Sequence, residues 1–344
     1  MEPTLTIVVP CYNEEEVLPE TIFELEQYLE SLIGDNLISK MSMLLFVDDG
    51  SDDHTWDIIY KKCLKNIRVK GLKLSRNVGH QNALLAGLLT AKDRSDCVVS
   101  MDADLQDDIN VIREFVVKFQ EGYEIVYGVR KKRESDTFFK RSTAQGFYQL
   151  MSKMGVNLVY NHADYRLMSK RALEELARFE EVNLFLRGIV PLIGFNSTSV
   201  YYDRQERMAG VSKYPLKSML AFAFDGITSF SVTPIRLVLL SGFISFFVSL
   251  LFGFYFFSLK LFGTTVTGWT SLITSIWLIG GLQLIAIGLI GEYVGKLYKE
   301  TKRRPKFIID INTFQLHTPL QFSTNQRLTD ESFNLEYSRL PETN

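Results

Sequence analysis

Three short apolar runs, each ending abruptly in a polar turn, constrain the fold of this chain more than any other feature. Leu5 to Val9 stops at Pro10-Cys-Tyr-Asn-Glu14, Met43 to Val47 at Asp48-Asp-Gly-Ser51, and Cys97 to Met101 at Asp102-Ala-Asp-Leu-Gln106. Between them lie segments of helical period, such as Val17, Leu18, Ile22, Leu25, Leu29 and Leu32 within 15–32. The pattern predicts strands at 5–9, 43–47, 69–74, 97–101 and 124–127, and helices at 15–32, 55–64, 82–91 and 109–120. Strands and helices alternating at this spacing form a doubly wound, Rossmann-like α/β domain with a mainly parallel sheet. In such sheets ligands bind beyond the carboxyl ends of the strands, where these polar turns fall.

The turns carry chemistry. Asp102 and Asp104 can face one divalent cation together, and Gln106 can add a neutral oxygen without overcharging the site. Mg²⁺ and Mn²⁺ prefer oxygen ligands and commonly share them with substrate phosphates. The bland alternative is a solvated turn, where Asp is common. A carboxylate at Asp48-Asp49 can accept the imide N–H of a uracil or the ring N–H of another base; Ser51, Asp52 and Asp53 suffice to cap the helix at Thr55. Tyr12 can pack on a base or ribose, and Glu14 can bind ribose hydroxyls or start its helix. Arg76, after the third strand, can pair with a base edge or a carboxylate. His80 has no partner at metal-ligand spacing, which favours a surface or supporting role over ligation.

Composition adds a second theme. The net charge of −2 over 344 residues gives no footprint for nucleic acid. The apolar residues are unevenly spread: Leu237–Leu259 and Leu261–Gly291 contain no charged residue, and each is long enough to cross a bilayer. Two spanning helices are expected at 234–258 and 268–292, preceded by an interfacial amphipathic helix at 214–231. The link between the spans holds only Lys260, whereas Lys296, Lys299, Lys302, Arg303, Arg304 and Lys306 follow the second. The positive-inside rule then puts both termini in the cytoplasm and the protein, multi-pass, in the plasma membrane. No basic leader opens the chain, so residues 1–213 are expected to stay cytosolic, with 293–344 as a basic flank and tail. Phe307-Ile-Ile309 is a possible further strand. Cys11, Cys63 and Cys97 lack metal spacing and read as buried free thiols. Small residues at Gly280, Gly281, Gly288, Gly291 and Gly295 suit close helix packing and a homo-oligomer.

Taken together, Pro10–Glu14, Val47–Ser51, Leu74–Gly79 and Asp102–Gln106 resemble the motif series of family 2 glycosyltransferases with a GT-A fold. Asp164-Tyr-Arg-Leu-Met168 and Gln205 to Tyr214 resemble the polyprenyl-phosphate branch, which contains dolichyl-phosphate mannose synthases and bactoprenol glucosyltransferases. The run Ile290-Gly-Glu-Tyr-Val-Gly295 is most similar to the bactoprenol type. By this resemblance Pro10, Tyr12, Glu14, Asp49, Arg76 and Asp102 bind the donor, and Asp102, Asp104 and Gln106 hold Mg²⁺ or Mn²⁺. Asp164 is the catalytic carboxylate, and Arg130, Arg141, Arg207 and Lys213 handle the donor diphosphate and the acceptor phosphate. His162-Ala163 departs from the small residue and Gly usual before that aspartate.

The resemblance implies transfer of one hexose from a UDP-sugar, glucose first, to polyprenyl phosphate with inversion. N-acetylglucosaminyl or mannosyl transfer is the alternative. A phosphomonoester is largely dianionic at neutral pH, so the acceptor has little need of a general base. Beside it, Asp164 would be raised by like-charge repulsion, which Arg166 is placed to offset. A processive synthase would carry Gln-x-x-Arg-Trp, and none of Trp56, Trp269 or Trp277 sits in that context. A non-catalytic scaffold is disfavoured by the intact acidic residues, and a transporter by the absence of charge within the two apolar runs.

Overall fold

The computed structural model describes residues 2–131, 162–181, 186–203, 233–261 and 268–314. Strands β1 (Leu5–Cys11), β2 (Met43–Asp48), β3 (Val69–Leu74), β4 (Cys97–Ser100) and β5 (Ile125–Arg130) lie where the sequence predicts them. So do helices α1 (Leu18–Gly34), α2 (Thr55–Lys65), α3 (His80–Ala91) and α4 (Val111–Gln120). Strands β6 (His162–Ser169), β7 (Ser197–Tyr202) and β8 (Ile309–Asn312) complete one sheet in the order β7-β5-β6-β4-β1-β2-β3-β8. Helices α5 (Lys170–Leu176) and α6 (Leu186–Leu192) fall between β6 and β7.

Pairings among β1, β2, β3 and β4 are parallel, as is β5 with β7. Strand β6 enters antiparallel between β4 and β5, and β8 is antiparallel on β3. The sheet is therefore mixed, and its parallel half is the expected one. Helices cover both faces. Leu5, Ile7 and Val9 of β1 point into a core with α1, α2 and α4, while Val8 points into another with α3, α5 and α6. This alternation, with both faces buried, explains why the central strands read as unbroken apolar runs.

Beyond β7 come two long helices, α7 (Thr233–Leu261), which contains the first apolar run, and α8 (Trp269–Thr301), which contains residues 269–291 of the second. Among the described residues, Leu278–Thr301 is the stretch long and apolar enough to cross a membrane, with mean hydropathy 1.6 and none of it buried in the protein. Cys11 and Cys97 are buried free thiols as expected, and Cys63 is half-buried. The interfacial helix expected at 214–231 lies outside the described residues.

Candidate active site

The carboxyl ends of β1, β2 and β3 are laced together by short polar side chains. Ser51 Oγ accepts from the Asn13 amide at 3.0 Å, and Asn13 Oδ1 accepts from the Asp52 amide at 2.9 Å. The Glu14 amide donates to Thr55 Oγ1 at 2.9 Å. Asn13 takes a left-handed φ of 53°, which asparagine tolerates better than most residues. Asp49 is buried, and its two oxygens accept from the Val78 and Gly79 amides at 2.8 and 2.9 Å. It thus clamps the β3–α3 turn. Burial raises its carboxyl, and those amides oppose the shift. Gly50 has φ 65°, and a Cβ there would lie 2.5 Å from the Arg76 carbonyl carbon, so only glycine fits between the β2 and β3 turns. Tyr12 (43% exposed) and Arg76 line one groove of about 410 Å³. Pro10 is buried in register with Val47, beneath this edge.

The turn after β4 is tied to the body by Thr21 Oγ1, which donates to the Ala103 carbonyl at 2.7 Å. Asp104 Oδ1 accepts from the Gln106 amide at 3.2 Å, closing the turn around Leu105 at φ 50°. Gln106 is itself buried. Burial pushes the Asp102 carboxyl up to about 6; His80 opposes this, and Asp107, Asp164 and Asp104 add to it. Among the described residues no three His, Cys, Asp or Glu side chains converge as a ready-made cage. The fit to a cation is of another kind. Crowded carboxylates raise one another, and a cation shared with a diphosphate needs only one or two from the protein.

Strand β6 brings the second half of the site. Ser100 pairs with Arg166, so extending that antiparallel register by two residues sets Asp164 across from Asp102. Ser100 Oγ donates to the Asp164 carbonyl and fixes this crossing. His80, the first residue of α3, bridges the two: its Nε2 lies 3.7 Å from Asp102 Oδ1 and 3.7 Å from Asp164 Oδ2. Burial alone would lower the imidazole, but Asp164 and Asp102 outweigh that and raise it. The supporting role expected of His80 thus has a concrete form.

Asp164 is buried and heavily partnered. Arg166 Nη2 donates to Oδ1 at 2.9 Å. Arg187 donates from Nε to Oδ1 at 3.3 Å and from Nη2 to Oδ2 at 3.1 Å, and Gln81 Nε2 donates to Oδ2 at 3.3 Å. Burial favours the neutral acid, yet His80, Arg187 and Arg166 win and hold the carboxyl well below the usual range. The offset expected from Arg166 is therefore present, and Arg187 adds to it. Arg166 is fully buried, while the Arg187 side chain is 36% exposed.

Arg130 has a different neighbourhood. Its Nη2 donates to Asp107 Oδ1 at 3.1 Å, and its Nε to the Tyr202 hydroxyl at 3.2 Å. Tyr202 in turn donates to the same Asp107 oxygen at 2.6 Å. In this structure Arg130 braces the turn that carries Asp102 and Asp104. Arg141, Arg207 and Lys213 lie outside the described residues. The residues that sequence reasoning passed over are Gln81, Asp107, Arg187 and Tyr202, which are scattered in sequence and meet only through β6, β7 and α6.

The site thus sits on a mixed α/β sheet with acidic turns along one edge and a helix N-terminus between two of them. Residues 6–177 match the model of glycosyl transferase family 2, and the chain belongs to that family. It is 61% identical to an uncharacterised glycosyltransferase, YkoT, of Bacillus subtilis (strain 168), over 95% of this chain and 97% of the relative. It is 38% identical to the bactoprenol glucosyl transferase of Shigella phage SfV, over 89% of this chain and 97% of that one. Among solved structures, glucosyl-3-phosphoglycerate synthase from Mycobacterium tuberculosis, in complex with Mn²⁺, UDP and phosphoglyceric acid, aligns with a TM-score of 0.44. That match has 18% identity over 66% of this chain and 76% of the other.

Proposed function

We propose that this glycosyltransferase moves a single hexose, glucose first, from a UDP-sugar to undecaprenyl or another polyprenyl phosphate at the cytosolic face of the plasma membrane. The observation that carries the reading is the convergence of Asp102 after β4, His80 at the start of α3 and Asp164 in β6, with the Tyr12–Arg76 groove along the same carboxyl edge of the parallel strands. The likeness to bactoprenol glucosyl transferases over nearly their whole length supports the same acceptor class.

In this reading Tyr12, Arg76 and the turns braced by Asp49 and Glu14 receive the nucleoside. Asp102, Asp104 and Gln106 would hold Mg²⁺ or Mn²⁺. The chemistry such an ion would supply is neutralisation of charge on the departing diphosphate. The acceptor phosphate, whose second pKa is about 6, arrives already dianionic and attacks the anomeric carbon directly, with inversion. No residue has to take a proton from it. The state of Asp164 supports this, because a carboxylate clamped between two guanidiniums is a poor base. Its role is then to hold Arg187 at the cleft, where a guanidinium suits a phosphate oxygen pair. Arg141, Arg207 and Lys213 would complete acceptor binding.

The proposed layout is a cytosolic domain at 1–213, an interfacial helix at 214–231, spans within α7 and α8, and a cytosolic flank. A hairpin of this kind keeps the site near the headgroup plane and raises the local acceptor concentration. The test is a donor panel of UDP-glucose, UDP-N-acetylglucosamine, UDP-galactose and GDP-mannose, with undecaprenyl phosphate and Mn²⁺ or Mg²⁺, read as label in butanol-extractable lipid. Incorporation from UDP-glucose, lost in Asp104→Ala, is the expected result. Incorporation from GDP-mannose alone overturns the donor; none from any donor by folded protein overturns the enzyme reading in favour of a scaffold.

A further inference from the structure

We propose that the segment following α8 is part of the donor site, with Asp310 of β8 forming the outer wall of the nucleoside groove. The inference rests on the donor reading above and adds to it a residue from the far end of the chain.

The segment is firmly attached to the sheet. After α8 the chain turns at Arg303, with φ 45°, and comes back across the end of β3. Lys306 Nζ donates to the Phe179 carbonyl at 2.9 Å, and Phe307 packs against the core on the α3 face. The Ser75 amide donates to the Ile308 carbonyl at 3.0 Å. Thr313 closes the other end: its Oγ1 accepts from the Gly71 amide at 2.8 Å, and its own amide donates to the Gly71 carbonyl at 3.0 Å.

Between these anchors the register slips. Lys73 pairs with Ile311, but Leu74 pairs with Ile309, so one residue of β8 has no partner on β3. That residue is Asp310. An extra residue in one strand bends the strand and re-aims its side chain, a device found often beside active sites. Here the bulge coincides with the groove of about 410 Å³, which Asp310 lines together with Tyr12, Asp52, Lys73, Arg76 and Asn77. The floor is rigid, because Gly50 sits against the Arg76 backbone and Asp49 clamps the next two amides.

The lining matches a nucleoside. Tyr12 offers an exposed aromatic face, and base–aromatic stacking tolerates any base. Arg76 can donate to a base carbonyl. Asp310 supplies what a nucleoside also needs, an acceptor for a base N–H or a ribose hydroxyl. The same bulge would couple the end of the proposed second span to the donor.

Full-length protein in detergent is titrated calorimetrically with UDP in the presence of Mn²⁺. Asp310→Ala should weaken UDP binding about tenfold, the loss of one hydrogen bond to a charged group, while Mn²⁺ binding alone stays unchanged. Asp93→Ala, at an exposed residue paired with Lys92, serves as the control. Should Asp310→Ala fail to fold, Asp310→Asn keeps the size and is expected to weaken UDP in the same direction. Wild type that binds UDP, with a folded Asp310 variant within twofold of it, overturns this proposal alone. Wild type that binds neither UDP nor GDP overturns the donor reading as well.

Discussion

Asp102 should make the metal-free protein less stable than it would otherwise be. Its carboxyl is pushed from the ordinary value of about 3.9 to about 6, chiefly by burial. A raised carboxylate pKa opposes folding at high pH. The penalty is absent below about pH 4, grows between about 4 and 6, and is complete above. Two units correspond to about 3 kcal/mol, but the side chain is 35% exposed, and solvent screening brings this to about 1 kcal/mol. Asp102→Asn should therefore stabilise the protein in EDTA at pH 7.5 by about 1 kcal/mol, a rise in Tm of about 2–4 °C for a domain of roughly 200 residues. Near pH 5 the gain should fall to about half. Adding Mn²⁺ and UDP should reverse the order, since only wild type gains from binding. Thermal scans of the two proteins at both pH values, with and without Mn²⁺–UDP, read all of this. A variant that melts lower than wild type at pH 7.5 in EDTA, or gains equally at both pH values, would refute the reasoning.

Three further substitutions probe neighbouring parts of the site. Asp164→Ala strands the fully buried Arg166 guanidinium and should cost about 3–5 kcal/mol in chemical denaturation, so its activity loss must be read on protein shown to be folded. Arg187→Ala should raise KM for polyprenyl phosphate about tenfold, the loss of a charged hydrogen bond, while the Kd for UDP moves less than twofold; equal loss of both would remove the acceptor role. Gly50→Ala adds a Cβ against the Arg76 backbone at a left-handed φ, and should lower stability by more than about 1 kcal/mol and weaken UDP binding; an unchanged Tm would contradict the close packing seen there.

The first half of the fold was legible because β1, β2 and β4 are buried on both faces and α1, α2 and α4 keep a 3.6-residue apolar period, whereas α3 is buried nearly all round. Strand β5 was expected over 124–127 but continues to Arg130, because β7 pairs along its whole length and buries Val129. Residues 128–130, beyond the expected strand, are thus sheet. Strand β6 gave no signal, since its inward residues include Asp164 and Arg166, an ion pair that reads as a polar turn until the sheet buries it. The strand anticipated at Phe307–Ile309 begins at Ile309, because Phe307 is used for core packing.

At the site, Asp102, Asp104 and Gln106 stood out because they follow the apolar run of β4, and Asp164 through its family-like motif Asp164-Tyr-Arg-Leu-Met168. Arg187 did not. It lies on a seven-residue helix, and nothing in its spacing points to Asp164, 23 residues earlier. Arg130 was assigned to phosphate by resemblance, yet its partners in the structure are Asp107 and Tyr202. Sequence gives the charge of a side chain, but tertiary pairing determines where that charge is used.

The most direct measurement is the anomalous scattering of Mn²⁺ in crystals of the full chain grown with UDP. A gripped diphosphate requires one ion within coordination distance of Asp102 or Asp104 and of UDP phosphate oxygens, with the uracil over Tyr12. An ion bound away from both aspartates, or a nucleotide seated outside the Tyr12–Arg76 groove, would contradict the account.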